Sequence, residues 1–303
     1  MAVIEVEGLR KEYRSRRGRT LALDGLDLVV PEGGVFGFLG PNGAGKTTTI
    51  RCLLGLVRPT AGRCRLLGAD SPKDLATVIR RVGSIVETPT FFPRFSGRRN
   101  LELLGRLHGI GRKLERVGLA ERADDLVKTY SLGMRQRLGI GAALLKDPAL
   151  LVLDEPANGL DPAGIKEVRE LLRRLGAEGR TIFVSSHILT EVQHTADRVA
   201  ILSRGKSVAS GPVGEVLAAG RSTGLTVRVD DEAGALEALR SAGIPASLDD
   251  HAIRVMLPPE EAATVTRTLA DRGLYLTELR PDEVDLETVF LELTRETPKE
   301  ASP

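Results

Sequence analysis

Cysteine, aromatic residues and net charge are all scarce in this sequence. Among 303 residues there are two cysteines, no tryptophan and only 3% aromatic residues, and the formal net charge is +2. Cys52 and Cys64 have no CxxC spacing and no nearby histidine, so we expect neither a zinc site nor a disulfide framework, but two small buried residues. The near-neutral charge leaves no broad electrostatic footprint for DNA or RNA, so no nucleic-acid partner is expected.

Long apolar runs are also missing. No stretch approaches the roughly 18 apolar residues of a membrane span, and no basic-then-apolar signal peptide opens the chain. If the protein works at a membrane, we therefore expect another protein to hold it there. The composition, 42% hydrophobic and 28% charged residues, is ordinary for a globular protein.

The most informative stretch of the sequence is a glycine-rich loop. It follows the apolar run 35–39 and reads Gly40-Pro41-Asn42-Gly43-Ala44-Gly45-Lys46-Thr47-Thr48, which fits the phosphate-binding pattern G-x-x-x-x-G-K-[ST]. Glycines let successive N–H groups face one anion, and the helix that follows adds its partial positive charge. Lys46 is predicted to reach the β- and γ-phosphates and the Thr47 hydroxyl to bind Mg²⁺. The alternative is an ordinary strand-to-helix turn, but the strand before and the helix after favour the phosphate site.

A pair of acids follows a second apolar strand. Asp154 and Glu155 come directly after the run 149–153, the position expected for a magnesium-holding acid followed by a catalytic acid. Asp154 is predicted to bind Mg²⁺ through its water shell, and Glu155 to polarise the attacking water. Such a pair is also common as a helix cap or surface turn. Together with the upstream phosphate loop, it predicts binding and hydrolysis of a nucleoside triphosphate.

The base of that nucleotide is predicted to be adenine. Guanine is normally read by an Asn-Lys-x-Asp stretch, and no asparagine of this chain is followed by lysine. Tyr13 could stack on the adenine ring, since every base offers a π-face. The alternative is a surface tyrosine at the end of a strand.

Strands and helices alternate along residues 1–220, which predicts an α/β fold with a largely parallel sheet and helices on both faces. This part includes a predicted helix over 73–81 and a helical region over 96–126. Ligands of such sheets bind beyond the carboxyl ends of the strands, where Gly40, Glu87, Asp154 and His187 fall. From residue 221 to 303 the order β-α-β-β-α-β predicts a small ferredoxin-like α+β domain.

A second helix N-terminus that can bind a phosphate lies before the apolar strand that ends at Asp154 and Glu155. Residues 130–137 read Tyr-Ser-Leu-Gly-Met-Arg-Gln-Arg, in which Ser131 can cap a helix and Gly133 lets backbone approach closely. With the motifs above in this order, the chain resembles the ATP-binding subunit of ATP-binding cassette (ABC) transporters, in the branch that serves drug, antibiotic and bacitracin-type efflux. The resemblance covers residues 1 to about 220 closely and the remainder loosely.

The resemblance implies a P-loop cassette with a helical subdomain and antiparallel strands, working as a homodimer that sandwiches two ATP molecules with Mg²⁺. Lys46, Thr47 and Thr48 then hold phosphates and Mg²⁺ in their own subunit, while Ser131, Leu132 and Gly133 complete the partner's site. His187 matches the switch histidine that contacts the γ-phosphate, although a lone histidine after a strand is otherwise an ordinary surface residue. Asp161 matches the loop acid that crosses between subunits.

The chain departs from the family pattern at three places, one of which is the somewhat short helical region between Asn100 and Ser131, where the family usually meets the permease. Glu87 stands where glutamine is usual, and its carboxylate could still bind Mg²⁺ while altering the metal's hold. Leu132 and Met134 replace the glycine and the glutamine of the commonest signature sequence.

The resemblance also implies a separately encoded transmembrane permease and a location at the cytoplasmic face of the cell membrane. Phe91, Phe92 and Phe95 are clustered just after Glu87 and either line a socket for a permease helix or pack in the core. The leading hypothesis is an ATPase that powers export of a small amphiphilic compound. The alternative is a soluble ABC ATPase acting on ribosomes or nucleic acid, which a single cassette, the lack of heptads and the near-neutral charge disfavour.

Overall fold

The computed structural model describes residues 1–15, 18–87, 89–108, 114–219, 224–249, 252–282 and 285–295. The chain forms two compact units, Met1–Val213 and Gly214–Pro303. The predicted boundary between residues 220 and 221 falls at positions outside the described residues and stays a prediction.

In the described part of the first unit there are ten strands, which form two sheets, and five α-helices. The strands are β1 (Ala2–Ser15), β2 (Gly18–Pro31), β3 (Gly34–Leu39), β4 (Ala61–Leu66), β5 (Ala69–Ser71), β6 (Val82–Ile85), β7 (Leu150–Asp154), β8 (Thr181–Ser186), β9 (Arg198–Ser203) and β10 (Lys206–Pro212). The helices are α1 (Lys46–Leu53), α2 (Gly97–His108), α3 (Leu132–Ala143), α4 (Pro162–Ala177) and α5 (Leu189–Gln193).

The larger sheet has the order β10-β9-β3-β8-β7-β6. Its neighbours pair in parallel except for β10, which runs antiparallel to β9. The smaller sheet, β2-β1-β4-β5, is antiparallel throughout. The predicted α/β fold with a largely parallel sheet is confirmed.

The central parallel strands are apolar because both of their faces are buried. Along β7, Leu150 and Val152 belong to the core shared with the antiparallel sheet and α1, while Leu151 and Leu153 belong to the core beneath α3 and α4. On β8, Phe183 lies 5.1 Å from the ring centroid of Phe38 on β3. A continuous apolar run therefore predicts this kind of strand well.

Two predicted helical segments differ from the structure. The helix predicted over 73–81 is wrong, since this stretch forms two short 3-10 turns, Leu75–Thr77 and Ile79–Arg81. Its run of β-branched residues at 77–79 disfavours an α-helix. The region predicted over 96–126 is helical at α2 and in a 3-10 turn at Glu115–Val117, while residues 109–113 lie outside the described residues.

The second unit contains an antiparallel sheet with the predicted β-α-β-β-α-β order. Its elements, together with the helix α6 (Val213–Ala219) that leads into it, are β11 (Leu225–Val229), α7 (Glu232–Ser241), β12 (Ala246–Asp249), β13 (Ala252–Val255), α8 (Ala262–Ala270), β14 (Leu276–Pro281) and α9 (Leu286–Arg295). The sheet order β12-β13-β11-β14 is that of a ferredoxin-like fold. The unit has its own core, in which Val227 and Ile253 are fully buried.

Candidate functional site

The register of the parallel sheet brings three strand ends together. Leu39 at the end of β3 lies opposite Ser186 on β8, and Asp154 at the end of β7 lies opposite Ser185. The segments that follow these strands therefore start at one edge of the sheet. This edge, beyond the carboxyl ends, is where parallel sheets bind their ligands.

The glycine loop after β3 needs glycine at its ends. Gly40 has φ 153°, and a Cβ built there would lie 2.5 Å from the carbonyl oxygen of Leu202. Gly45 has φ 112° and precedes α1, and its Cβ would lie 2.8 Å from the carbonyl oxygen of Ala22. Only glycine lets the loop pass this close to the neighbouring backbone, which shapes the start of α1.

Lys46, the first residue of α1, is a buried cation at the mouth of this loop. Its side chain is 5% exposed, and Nζ donates to the carbonyl oxygens of Gly40 at 2.6 Å and Pro41 at 3.3 Å. Nζ also lies 3.1 Å from Oε1 of Glu155. A buried ammonium is stable only when paired and hydrogen-bonded, and Glu155 supplies the negative charge.

Glu155 joins Lys46 to His187. Its Oε2 lies 2.7 Å from Nδ1 of His187, and its backbone has φ 48°, a left-handed conformation that is uncommon outside glycine. The Glu155 N–H donates to Oγ of Ser185 at 2.9 Å, and that hydroxyl donates to Oδ1 of Asp154 at 2.6 Å. Ser185 therefore holds both acids, a role that sequence reasoning missed; the signal was a polar residue ending an apolar strand.

Lys46, Glu155 and His187 line a cleft of about 480 Å³, within the usual size range of small-molecule sites. Asp154 and Ser185 are not among its described lining residues. Tyr13 lines it too, from β1, where it pairs with Thr20 of β2. The further lining residues come from the loop, from β2 and from the segment after β7: Thr20, Leu21, Ala22, Asn42, Gly43, Gly45, Thr47, Thr48 and Asn158. The cleft thus places an aromatic ring and the phosphate loop in one site; Thr20, Leu21, Ala22 and Asn158 were not predicted.

A second, smaller cavity of about 40 Å³ lies against Glu155 and His187. Glu191 of α5 lines it, and burial raises the pKa of this carboxyl group, with the nearby His187 acting in the opposite direction. The surroundings of His187 are thus partly desolvated on this side.

Glu87 is not among the described residues that line the cleft. Its side chain is 66% exposed and forms an ion pair with Arg51 of α1. Its backbone has φ 67°. The structure therefore does not join Glu87 to the other predicted metal ligands, and its part in Mg²⁺ binding stays a prediction.

The residues predicted to serve the partner's nucleotide lie in a cluster separate from the cleft. Ser131 caps α3 by accepting a hydrogen bond from the Met134 N–H at 3.2 Å, and Asp161 caps α4 by accepting one from the Gly164 N–H at 3.1 Å. A Cβ built on Gly133 would have its nearest neighbour, Cα of Gly164, at 3.8 Å. Leu132 packs near Gly159. None of these residues lines the cleft that the described part of the chain forms around Lys46.

The phenylalanine cluster divides between the core and the surface. Phe91 packs against the core beneath α3 and α4, whereas Phe92 is 61% and Phe95 40% exposed. Their two ring centroids are 5.4 Å apart. Asn100 fixes this segment, accepting from the Phe92 N–H at 2.8 Å and donating to its carbonyl at 3.1 Å. The exposed pair is thus an apolar patch on a segment that Asn100 holds by hydrogen bonds.

None of the helices in the described ranges is long and apolar enough to cross a membrane.

Comparisons with known proteins agree on one family. The family model described as "ABC transporter" matches residues 23–158. The bacitracin transport ATP-binding protein BcrA of Enterococcus faecalis is 38% identical, covering 96% of this chain and 96% of that protein. The daunorubicin/doxorubicin resistance ATP-binding protein DrrA of Streptomyces peucetius is 37% identical, covering 96% of this chain and 92% of that protein. Among solved structures, a dimeric bacterial ABC transporter cassette, MJ0796, matches with a TM-score of 0.61 and 25% identity, covering 69% of this chain and 98% of its own.

Proposed function

The chain belongs to the ABC transporter family as an ATP-binding subunit, and on that premise we propose that Lys46, Glu155 and His187 carry out its ATP hydrolysis. The protein is an ATPase that drives transport through a separate permease. The observation that supports the proposed site is the cluster itself, in which Glu155 lies within 3.1 Å of Lys46 and 2.7 Å of His187.

Glu155 is the general base in this proposal. A water oxygen forms a bond to the γ-phosphorus, the bond to the β–γ bridging oxygen breaks, and the proton of the water passes to the Glu155 carboxylate. In the imidazolium form of His187 both ring nitrogens donate, Nδ1–H to that carboxylate and Nε2–H to the γ-phosphate. Lys46 stabilises the negative charge on the transferred phosphoryl group.

Nucleotide binding exchanges one partner of Lys46 for another. The Glu155 carboxylate, 3.1 Å from Nζ, neutralises the ammonium that the β- and γ-phosphates need. ATP takes over this interaction and frees Glu155 to face the attacking water. The same change positions the cation and activates the base.

The residues present fit Mg²⁺ bound jointly with nucleotide. No group of three or more histidine, cysteine or acidic side chains that could hold a metal ion occurs among the described residues. Mg²⁺ ordinarily keeps several waters and binds through one or two carboxylates plus substrate phosphates. Asp154, 7% exposed and oriented by Ser185, and the Thr47 hydroxyl are the proposed protein ligands, with Glu87 as a further one. When bound, Mg²⁺ neutralises phosphate charge.

Two copies of the chain are proposed to close on two ATP molecules. The Ser131–Asp161 cluster then supplies the partner's site, since Ser131, Leu132 and Gly133 lie outside their own chain's cleft. The dimeric cassette structure among the comparisons supports this arrangement. Hydrolysis removes the γ-phosphate contacts that hold the halves together, so the dimer opens and moves the permease.

The proposed cargo is a small amphiphilic, antibiotic-like compound that is exported from the cell. The names of BcrA and DrrA, which refer to bacitracin transport and to daunorubicin/doxorubicin resistance, support this class. The exposed pair Phe92 and Phe95 is the proposed anchor for the permease, which would hold the subunit at the cytoplasmic face of the membrane.

The test of this function is the variant Glu155→Gln. Because the amide cannot accept the proton of water, kcat should fall by about 10²-fold or more. ATP affinity should be kept or increased, since the competing carboxylate is gone, and an ATP-bound dimer should accumulate. ATPase assays, equilibrium ATP binding and light scattering with Mg·ATP measure the three effects.

The matched control is Glu170→Gln, an exposed acid on α4 whose side chain is 64% exposed. It should leave kcat and dimerisation as in the native chain. Unchanged turnover in Glu155→Gln would remove Glu155 from the role of base.

A further inference from the structure

Lys11 packs on the ring of Tyr13, and we propose that it is a positioning residue for the adenine base. This inference rests on the proposed function together with the predicted stacking of Tyr13 on adenine. Lys11 Nζ lies 4.9 Å from the centroid of the Tyr13 ring. Tyr13 lines the cleft, whereas Lys11 is not among the described residues that line it. The ammonium therefore supports the ring from outside the cleft.

The Tyr13 hydroxyl does not fix the ring in the described structure. Its oxygen is buried and has no hydrogen-bond partner among the described residues. The orientation of the ring therefore depends on its faces and on the strand that carries it. Lys11 is the cation on one face, and such a contact contributes about 0.5–1 kcal/mol at a partly exposed site.

Lys11 is itself held by the segment that follows the phosphate-loop helix. Its Nζ donates to the carbonyl oxygen of Arg58 at 2.9 Å. The same segment holds the strand just before Tyr13: the Glu12 N–H donates to Oγ1 of Thr60 at 3.0 Å, and the Thr60 N–H donates to the carbonyl oxygen of Arg10 at 2.8 Å. Three hydrogen bonds thus tie strand residues 10–12 to residues 58–60.

This segment connects the two ends of the nucleotide site. At its start, the N–H groups of Leu56 and Val57 both donate to the carbonyl oxygen of Arg51, in the last turn of α1. α1 begins with Lys46 at the phosphates, and Lys11 and Thr60 hold the strand of Tyr13. The segment therefore sets the distance between the base-stacking ring and the phosphate loop, which preorganises the site for a nucleotide of fixed length.

The prediction is that Lys11→Met weakens ATP binding by weakening the contact with the adenine base, while the phosphate contacts are kept. Methionine keeps an apolar chain of similar length but removes the charge and the hydrogen bond to Arg58. The Kd for Mg·ATP should rise about two- to fivefold, the ratio that corresponds to the cation–π energy. The Kd for Mg·tripolyphosphate, which has no base, should not change. KM for ATP should rise with kcat unaltered, because the reacting groups are untouched.

Three further variants make the test specific. Lys11→Arg keeps a cation over the ring and should restore most of the ATP affinity. Thr60→Val, which removes the acceptor of the Glu12 N–H at nearly constant volume, should weaken ATP and spare tripolyphosphate. Lys166→Met, which removes a 67% exposed lysine on α4, is the matched control and should bind both ligands normally.

The outcomes separate this inference from the proposed function. If Tyr13→Ala weakens ATP binding but Lys11→Met does not, the positioning role is wrong and the adenine site stands. If Tyr13→Ala leaves ATP affinity unchanged, the adenine site itself is wrong. An equal loss of ATP and tripolyphosphate affinity in Lys11→Met would show a disturbed phosphate loop and overturn the role assigned to Lys11.

Discussion

The two cysteines show how burial suppresses the chemistry of a single residue. Cys52 and Cys64 are both fully buried, and the sulfur of Cys64 lies 3.6 Å from the carbonyl oxygen of Cys52. Burial raises the pKa of the Cys64 thiol to about 12 and also raises the pKa of Cys52. The prediction of two small buried residues is confirmed.

Both cysteines should therefore resist alkylation in the native protein. The thiolate is the reactive form, and at pH 8 the raised pKa keeps both groups protonated while burial excludes the reagent. A pulse of iodoacetamide analysed by mass spectrometry should label neither cysteine until denaturant is added. An exposed cysteine introduced by Thr277→Cys is the positive control. Native labelling at the rate of that control would contradict the assignment.

Individual site residues were predictable where their chemistry is local. The loop sequence around Lys46 encodes its own conformation through its glycines, and Asp154 and Glu155 are marked by the apolar strand before them. Ser185 was missed because its contact with the two acids depends on the register between β7 and β8, which spans about thirty residues of chain. The only local mark of Ser185 is a polar side chain near the end of an apolar strand, which does not identify its partners.

At the scale of elements, caps and buried strands were the most predictable features. Ser131 and Asp161 accept hydrogen bonds from the third residue of the helix that each one precedes, as serine and aspartate commonly do. β9 and β10 were not predicted: β10 is only partly buried, and β9 pairs with β3 across a long stretch of chain. β9 thus depends on a distant strand, and β10 pairs with β9, its neighbour in sequence, at the edge of the sheet.

Ser131→Ala should loosen the first turn of α3. Alanine removes the acceptor of the Met134 N–H, and a lost N-cap costs about 1 kcal/mol. Local opening should then become about fivefold more frequent. Hydrogen exchange of the Met134 amide, followed by mass spectrometry, measures this change.

Ser131→Asn is the matched control, since asparagine caps helices as well as serine does and should keep the native exchange rate. Equal exchange of Met134 in Ser131→Ala and in the native chain would show that the cap does not stabilise this turn.

At the scale of the whole molecule, the resemblance implied that one chain supplies two groups of residues, one for its own nucleotide and one for the partner's, and this assignment stays a prediction. The cleft gathers Tyr13, Lys46, Glu155 and His187, while Ser131 and Asp161 lie in another cluster. A single chain contains no information on contacts with a second copy beyond the surfaces it leaves exposed. The same holds for the permease, for which Phe92 and Phe95 are two of several exposed apolar residues.

Phe92→Ala should weaken attachment to the permease. The side chain is 61% exposed and its ring lies beside Phe95, and exposed aromatic anchors often carry much of an interface's binding energy. The amount of subunit that co-purifies with membranes containing the permease should fall several-fold. ATP affinity should be unchanged, because Phe92 is outside the cleft.

Tyr275→Ala is the control for this experiment, since Tyr275 is 76% exposed and belongs to the second unit. It should co-purify like the native chain. Full retention of Phe92→Ala on the membranes would count against the anchor.

The carboxylate of Glu155 also works as an internal counter-ion. Because it already neutralises Lys46, a nucleotide that binds replaces one anion beside the ammonium with another. Its net gain in electrostatic energy is therefore smaller than it would be beside an unpaired ammonium. In the proposed site, this exchange moderates the affinity for ATP and lets the same carboxylate return to the lysine when ADP leaves. In the proposed site, the pairing of these two side chains therefore favours release of the product nucleotide.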